Sequence, residues 1–246
     1  RIGVQLIRHF HTRTKFPMAR PRRTDTERKR GRMRAAALMN SLARKIGVAN
    51  PHQFALHFDA LTGMNTQSSG KWRSSFNGEK ALSTQQLQLL SRIDPEVFER
   101  HEMGPANLWQ AMWAPLQGLR SIVSTELALW PTLEVLVAEF EGDLLLAEAY
   151  HEPLTIAHLA KAVALHRLVH ELNARIIPVG IDGEGTYRAI RRCLDDASIA
   201  AALASLGIFD DVDAELSDWL AGHEELASTP AAARWNALAS RLDWIA

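Results

Sequence analysis

Between Asn50 and Gly104 the chain carries four helix-start signals, and four glycine stops fall between Gly47 and Gly104; this limits the segment to a cluster of short helices. Leu38, Leu42 and Ile46 recur at helical spacing before Gly47. Asn50-Pro51 reads as N-cap plus first-turn proline, with Phe54, Phe58 and Leu61 on one face and Gly63 as the stop. Ser68 or Ser69 can cap a helix running to Asn77, with Gly78 beyond it. That run is about 13 Å long at helical rise. Ser83 and Gln86 form a capping box ahead of Leu87, Leu90 and Ile93. Asp94-Pro95 repeats the cap-plus-proline signal and Gly104-Pro105 ends the series.

Charge divides the chain where this series ends. Up to His101 there are 19 lysines and arginines against 7 aspartates and glutamates, and from Glu102 onward 9 against 21. The neutral total therefore hides an excess of 12 positive charges followed by an equal negative excess. Such asymmetry points to a polyanion-binding part joined to a part with another task. At 47% apolar and 23% charged residues, 246 residues suffice to bury one or two cores. No apolar run approaches the roughly 20 residues of a membrane-spanning helix, so no membrane is expected. The single cysteine, Cys193, excludes an internal disulfide and fits a cytoplasmic location.

Three segments follow. Residues 1–34 read as a flexible basic arm, of which 19–34 are too rich in arginine to pack alone; Met18 reads as a natural start, which makes 1–17 upstream sequence, the alternative being that they are a genuine part of the arm. Residues 35–115 hold the short helices. The tryptophan-dense "LWQAMWAPLQGL" marks the boundary near 115, and 116–246 reads as an acidic helical domain for dimerisation, partner contact or an effector. Helices are expected over 119–130, 132–150, 154–174, 186–206, 213–227 and 231–245, with only Arg175–Ile181 extended. The fold class expected is mainly α.

On this layout Trp72 and Phe76, four residues apart, anchor the third helix. Its other faces present Ser68, Ser69, Lys71, Arg73, Ser74 and Asn77, followed by Lys80. These side chains donate to phosphates or base edges, and arginine can read guanine bidentately. "LARKIGV", "SGKWRSSFNGE" and "LSTQQLQLLSRI" resemble the Cro/repressor-type helix-turn-helix family over about 70 residues. The resemblance implies a recognition helix at 68–77, held in the major groove by its neighbours. Gly63 to Gln67 is longer than the family's 3–4-residue turn. Arg20, Arg22, Arg23, Arg28, Arg30 and Arg32 of the arm are candidates for phosphate or minor-groove contact. The basic half also admits RNA binding or a protein-interaction role.

Catalytic signals are weak. "VGIDGEGTYRAI" lacks dinucleotide or P-loop spacing and reads as a turn. His158, His166 and His170 share a helix face without the order or third ligand of a zinc site. Asp210 to Asp218 lacks the glycine of a calcium loop. The expectation is a non-enzymatic protein with no cofactor or metal, binding double-stranded DNA as a homodimer in transcriptional regulation. The alternative is a non-catalytic nucleic-acid-binding subunit of a larger mobile-element or defence nucleoprotein complex.

Overall fold

A computed structural model describes residues 23–123, 133–175 and 184–221. Among them the chain is mainly α, with no strand. In order, the helices are α1 (Asp25–Lys45), α2 (Pro51–Thr62), α3 (Arg73–Phe76), α4 (Thr84–Leu90), α5 (Val97–Met103), α6 (Leu108–Trp113) and α7 (Leu116–Val123). They continue with α8 (Leu133–Ala149), α9 (Ile156–Arg175), α10 (Glu184–Asp195), α11 (Ala197–Ser205) and α12 (Phe209–Ala221). A one-turn 3-10 helix, Pro105–Asn107, joins α5 to α6.

The punctuation acts where it stands. Asn50 Oδ1 accepts from the backbone N–H of Gln53, Ser83 and Gln86 close a reciprocal box, and Gly63 and Gly78 take the left-handed conformation after their helices. Asp94 is a partial exception. Its carboxylate accepts from Glu96 N–H, but the helix starts only at Val97.

The arm differs from expectation. Thr24 and Glu27 form a capping box, so from Asp25 onward the basic segment is one helix of 21 residues. Burial stabilises it as well: Met33, Ala36 and Ala37 are at most 4% exposed against α6 to α12, and Lys29, Arg30 and Arg34 find partners there or on α5. A segment with that much packing is not a free arm.

Two cores share α1. Leu38, Met39 and Leu42 pack with Phe54 and Phe58 of α2, Trp72 and Phe76, Leu87 and Leu90 of α4, and Val97. Met33, Ala36 and Ala37, on another stripe of α1, join Leu108, Trp109 and Met112 of α6 and the apolar faces of α7 to α12. The side-chain amide of Asn40 reaches the carbonyls of Phe76 and Leu206, one in each part, at 3.3 and 3.1 Å. The changeover between cores lies between Val97 and Leu108, not near 115. Gly104 (φ 79°, ψ −177°), Ala106 (φ 47°) and Asn107 (φ 63°) turn the chain there over the Trp109 ring. The tryptophans of α6 belong to the second core because α6 lies on α9, where Arg167 donates to the Ala111 carbonyl at 3.0 Å.

The expected 186–206 helix is broken at Asp196, whose carboxylate caps Ser198 and Ile199 and starts α11. The extended stretch expected at 175–181 and the helix at 231–245 lie outside the described residues, apart from Arg175, which ends α9. No described helix is long and apolar enough to cross a membrane.

Candidate nucleic-acid interface

The expected recognition helix is much shorter than its sequence suggested. Residues 67–72 are turns, Gly70 is left-handed (φ 57°), and α3 holds four residues, about 6 Å of helix at standard rise. Ser68 and Ser69 do not cap it: Ser69 donates back to the Thr66 carbonyl, and Trp72 stands at the N-cap without a side-chain bond. The cause is Asp59 on α2. Its carboxylate accepts from the backbone N–H of Thr66 and Gln67 and from the Thr66 hydroxyl, at 2.7–2.9 Å. Thr66 Oγ1 in turn accepts from Trp72 Nε1 at 3.0 Å. This chain of bonds fixes the 66–72 turn and leaves too little length for a longer helix. Partial burial raises the pKa of Asp59, but the bonds from Gln67 and Thr66 outweigh it and hold the carboxyl below its usual range.

Trp72 and Phe76 do anchor the element. They are 1% and 6% exposed, and both rings meet Phe54 edge-on at 6.0 and 5.3 Å. Ten residues, 63–72, separate α2 from α3, so the tight turn of a helix-turn-helix is not present between them.

The cations sort into two sets. Lys29 faces Asp211 at 3.9 Å, Arg30 faces Glu215 at 3.6 Å and Arg34 faces Glu102 at 3.0 Å. Arg30 and Arg34 also lie over the Trp113 ring, at 5.1 and 5.4 Å, and Trp113 donates to Glu215. Arg30, expected on the nucleic-acid side, is therefore part of the joint between the two cores. Arg28 pairs with Asp25 on the solvent side of α1. Arg20 and Arg22 lie outside the described residues.

In the second set Arg23, Arg32, Arg73 and Lys80 are exposed and form no ion pair among the described residues, while Lys71 is half-buried, near the Asp59 carboxylate and with its Nζ 5.5 Å from the Trp72 ring centre. The backbone brings several of them together. Segment 76–81 runs antiparallel along α1: Phe76 lies beside Asn40, Gly78 beside Ala36 and Arg32, and Ala81 against Gly31. A Cβ on Gly31 would stand 3.0 Å from that of Ala81, so the glycine permits this close approach. Lys80 is thereby carried to the turn of α1 that bears Arg32. Arg73 lies one turn of α3 before Asn77, and Asn77 bonds Glu79. Ser74, half-buried, uses its carbonyl to accept from Glu79 and Lys80 N–H.

Asp59, Thr66 and Asn40 were not among the expected site residues. A carboxylate four residues before the Gly63 stop and a polar residue amid the apolar stripe of α1 were the signals available.

Other candidate groups carry little chemistry. His166 is 4% exposed, bonded to Thr186 Oγ1 at 3.0 Å and packed on His170 at 4.3 Å, while His158 bonds the Thr155 N–H. No cluster of three metal-ligating side chains occurs among the described residues. Burial, with Asp196 nearby, pushes the Cys193 thiol up to about 12, so it is a poor nucleophile. No protein-family model matches the chain, and no curated protein or solved structure matches it.

Proposed function

We propose that this is a DNA-binding protein that grips the phosphate backbone through Arg32, Lys71, Arg73 and Lys80. The observation that carries this reading is the sorting of the cations. Lys29, Arg30 and Arg34, which face the acidic half, are paired within the chain, whereas Arg32, Arg73 and Lys80 are exposed and form no ion pair among the described residues, with Lys71 beside them near the Asp59 carboxylate. Unpaired arginines and lysines on adjoining elements suit a polyanion, whose condensed counterions they displace. Arg73 is the residue placed to read a base, through its planar fork of donors.

The shortness of α3 favours a second reading, a subunit of a nucleoprotein assembly that holds nucleic acid without reading it. Four helical residues project too little to line a major groove as a recognition helix does. In that case the acidic half, carried by α8 to α12, docks on protein.

Binding of target and random duplex by Arg32→Ala, Lys80→Ala and Arg73→Ala at several salt concentrations separates the readings. Loss of each phosphate contact flattens the plot of log affinity against log salt by about 0.9. A base contact from Arg73 shows instead as about 1–3 kcal/mol of lost discrimination with the slope little changed. Uniform loss in all three variants favours the assembly subunit. Unchanged affinity in all three rejects nucleic-acid binding at this face.

A further inference from the structure

Helix α8 carries an apolar stripe on each of two sides, and among the described residues only one of them is covered. Val137, Phe140, Leu144 and Ala147 are at most 8% exposed in the second core. On the opposite side Leu145, Leu146 and, just past the helix end, Tyr150 are 59%, 57% and 74% exposed. Between them run the small residues Ala138, Gly142 and Ala149, spaced so that they share the outward side of the helix. A Cβ placed on Gly142 meets nothing within 4 Å, so the middle of this stripe is open to close approach. An apolar stripe left exposed on a helix whose other apolar side is buried marks a contact surface.

We infer that this stripe is the dimer interface of the protein, formed by two copies of α8 crossing antiparallel about Gly142. The charges around it fit a second copy better than a basic partner. Asp143 pairs with Lys161, Glu141 with Arg188 and Glu148 with Arg192, all within the chain. The acids flanking the stripe are thus already neutralised, which removes both the repulsion between two copies and the attraction for a cationic partner. Antiparallel crossing about Gly142 also sets large against small: Leu146 of each copy falls against Ala138 of the other, with the two glycines on the axis. The stripe's one charged residue, Glu139, is then about 9 Å along the axis from its symmetry mate at 1.5 Å per residue. Parallel crossing would set these two carboxylates face to face.

A stripe of one helix is smaller than the roughly 800 Å² per partner of a standard interface, so the dimer is expected to be a weak one that dissociates on dilution. The inference stands apart from nucleic-acid binding, and its test uses no nucleic acid.

Sedimentation velocity of the full chain between about 1 and 100 µM should show the mass rising from 27.4 kDa toward twice that value. Leu145→Glu with Leu146→Glu should hold the chain at the monomer mass while its circular dichroism and melting stay unchanged. Gly142→Cys should form a disulfide-linked dimer on mild oxidation, with Cys193 buried and silent in the parent. A chain that is monomeric across the whole range overturns the inference, since the stripe is then bare or covered by the chain's own segments. So does a dimer that persists in the double-glutamate variant, or a Gly142→Cys protein that does not cross-link.

Discussion

At the residue scale the buried polar groups make the sharpest expectations. Trp72 closes the first core and donates to Thr66, whose hydroxyl also donates to Asp59. Trp72→Ala should lower stability by about 3–5 kcal/mol, the cost of emptying a buried aromatic site. Chemical denaturation measures it, and a parent-like midpoint would mean that the ring is not buried. Asp94 is only 1% exposed and meets Lys45 at 3.1 Å and Arg100 at 3.3 Å. Burial raises its pKa, but Lys45, the Glu96 N–H and Arg100 outweigh that and hold it below the ordinary 3.8. A carboxyl depressed in the folded state contributes stability above its unfolded pKa and loses it as pH falls through the folded value. Asp94→Asn should therefore melt lower than the parent at pH 7, and the gap should close as the pH falls below the ordinary carboxylate range. A gap that is constant from neutral to acid pH would show that the charge of Asp94 plays no part.

At the element scale the turn at Gly104 is the most constrained piece of backbone. Its φ of 79° and ψ of −177° fall in a region open essentially to glycine, and a Cβ there would lie 2.5 Å from the Trp109 ring. Gly104→Ala should cost more than the roughly 1–3 kcal/mol of backbone strain alone, because the clash is added to it. A drop in melting temperature checks this, and a neutral substitution would mean that the turn can be rebuilt without its core. How much of this was legible in the sequence follows from what each signal measures. Asn50-Pro51, Ser83 with Gln86, Gly63 and Gly78 act through neighbours within a few residues, so helix ends read from them agree with the structure. The length of α3 depends on a carboxylate from α2, and the order of residues 25–34 depends on packing against α6 and α12. Local pattern is blind to both. For the same reason Arg32 and Arg30, alike in the sequence, part company in the structure: two positions along α1 turn one to solvent and the other onto Trp113.

At the scale of the whole molecule the change of charge after His101 falls at the changeover between the cores, yet the two parts do not pack apart. Basic helix α1 serves both cores, and Arg30, Arg34, Asn40 and Arg44 reach from it to Glu215, Trp113, Leu206 and Ser205 or to Glu102. A cut at residue 115, where the tryptophan-dense segment marks the boundary, removes two things from the acidic half. One is α6, with Leu108, Trp109 and Met112, all at most 2% exposed; the other is the Met33, Ala36 and Ala37 stripe of α1. The fragment 116–246 is left with the matching face of α9 uncovered. Losing two such large side chains as Trp109 and Met112 removes about 2–5 kcal/mol each, against a total stability of about 5–15 kcal/mol for an ordinary domain. The expectation is that fragment 116–246 keeps helical circular dichroism but melts without a cooperative transition and binds a dye specific for exposed apolar surface. Adding residues 105–115 back restores α6 but not the α1 stripe, so fragment 105–246 should recover part of the cooperativity and the full chain all of it. A cooperative melt of 116–246 alone, at the temperature of the full chain, would show that the second core closes without α6 and that the boundary expected near 115 is also the division by folding.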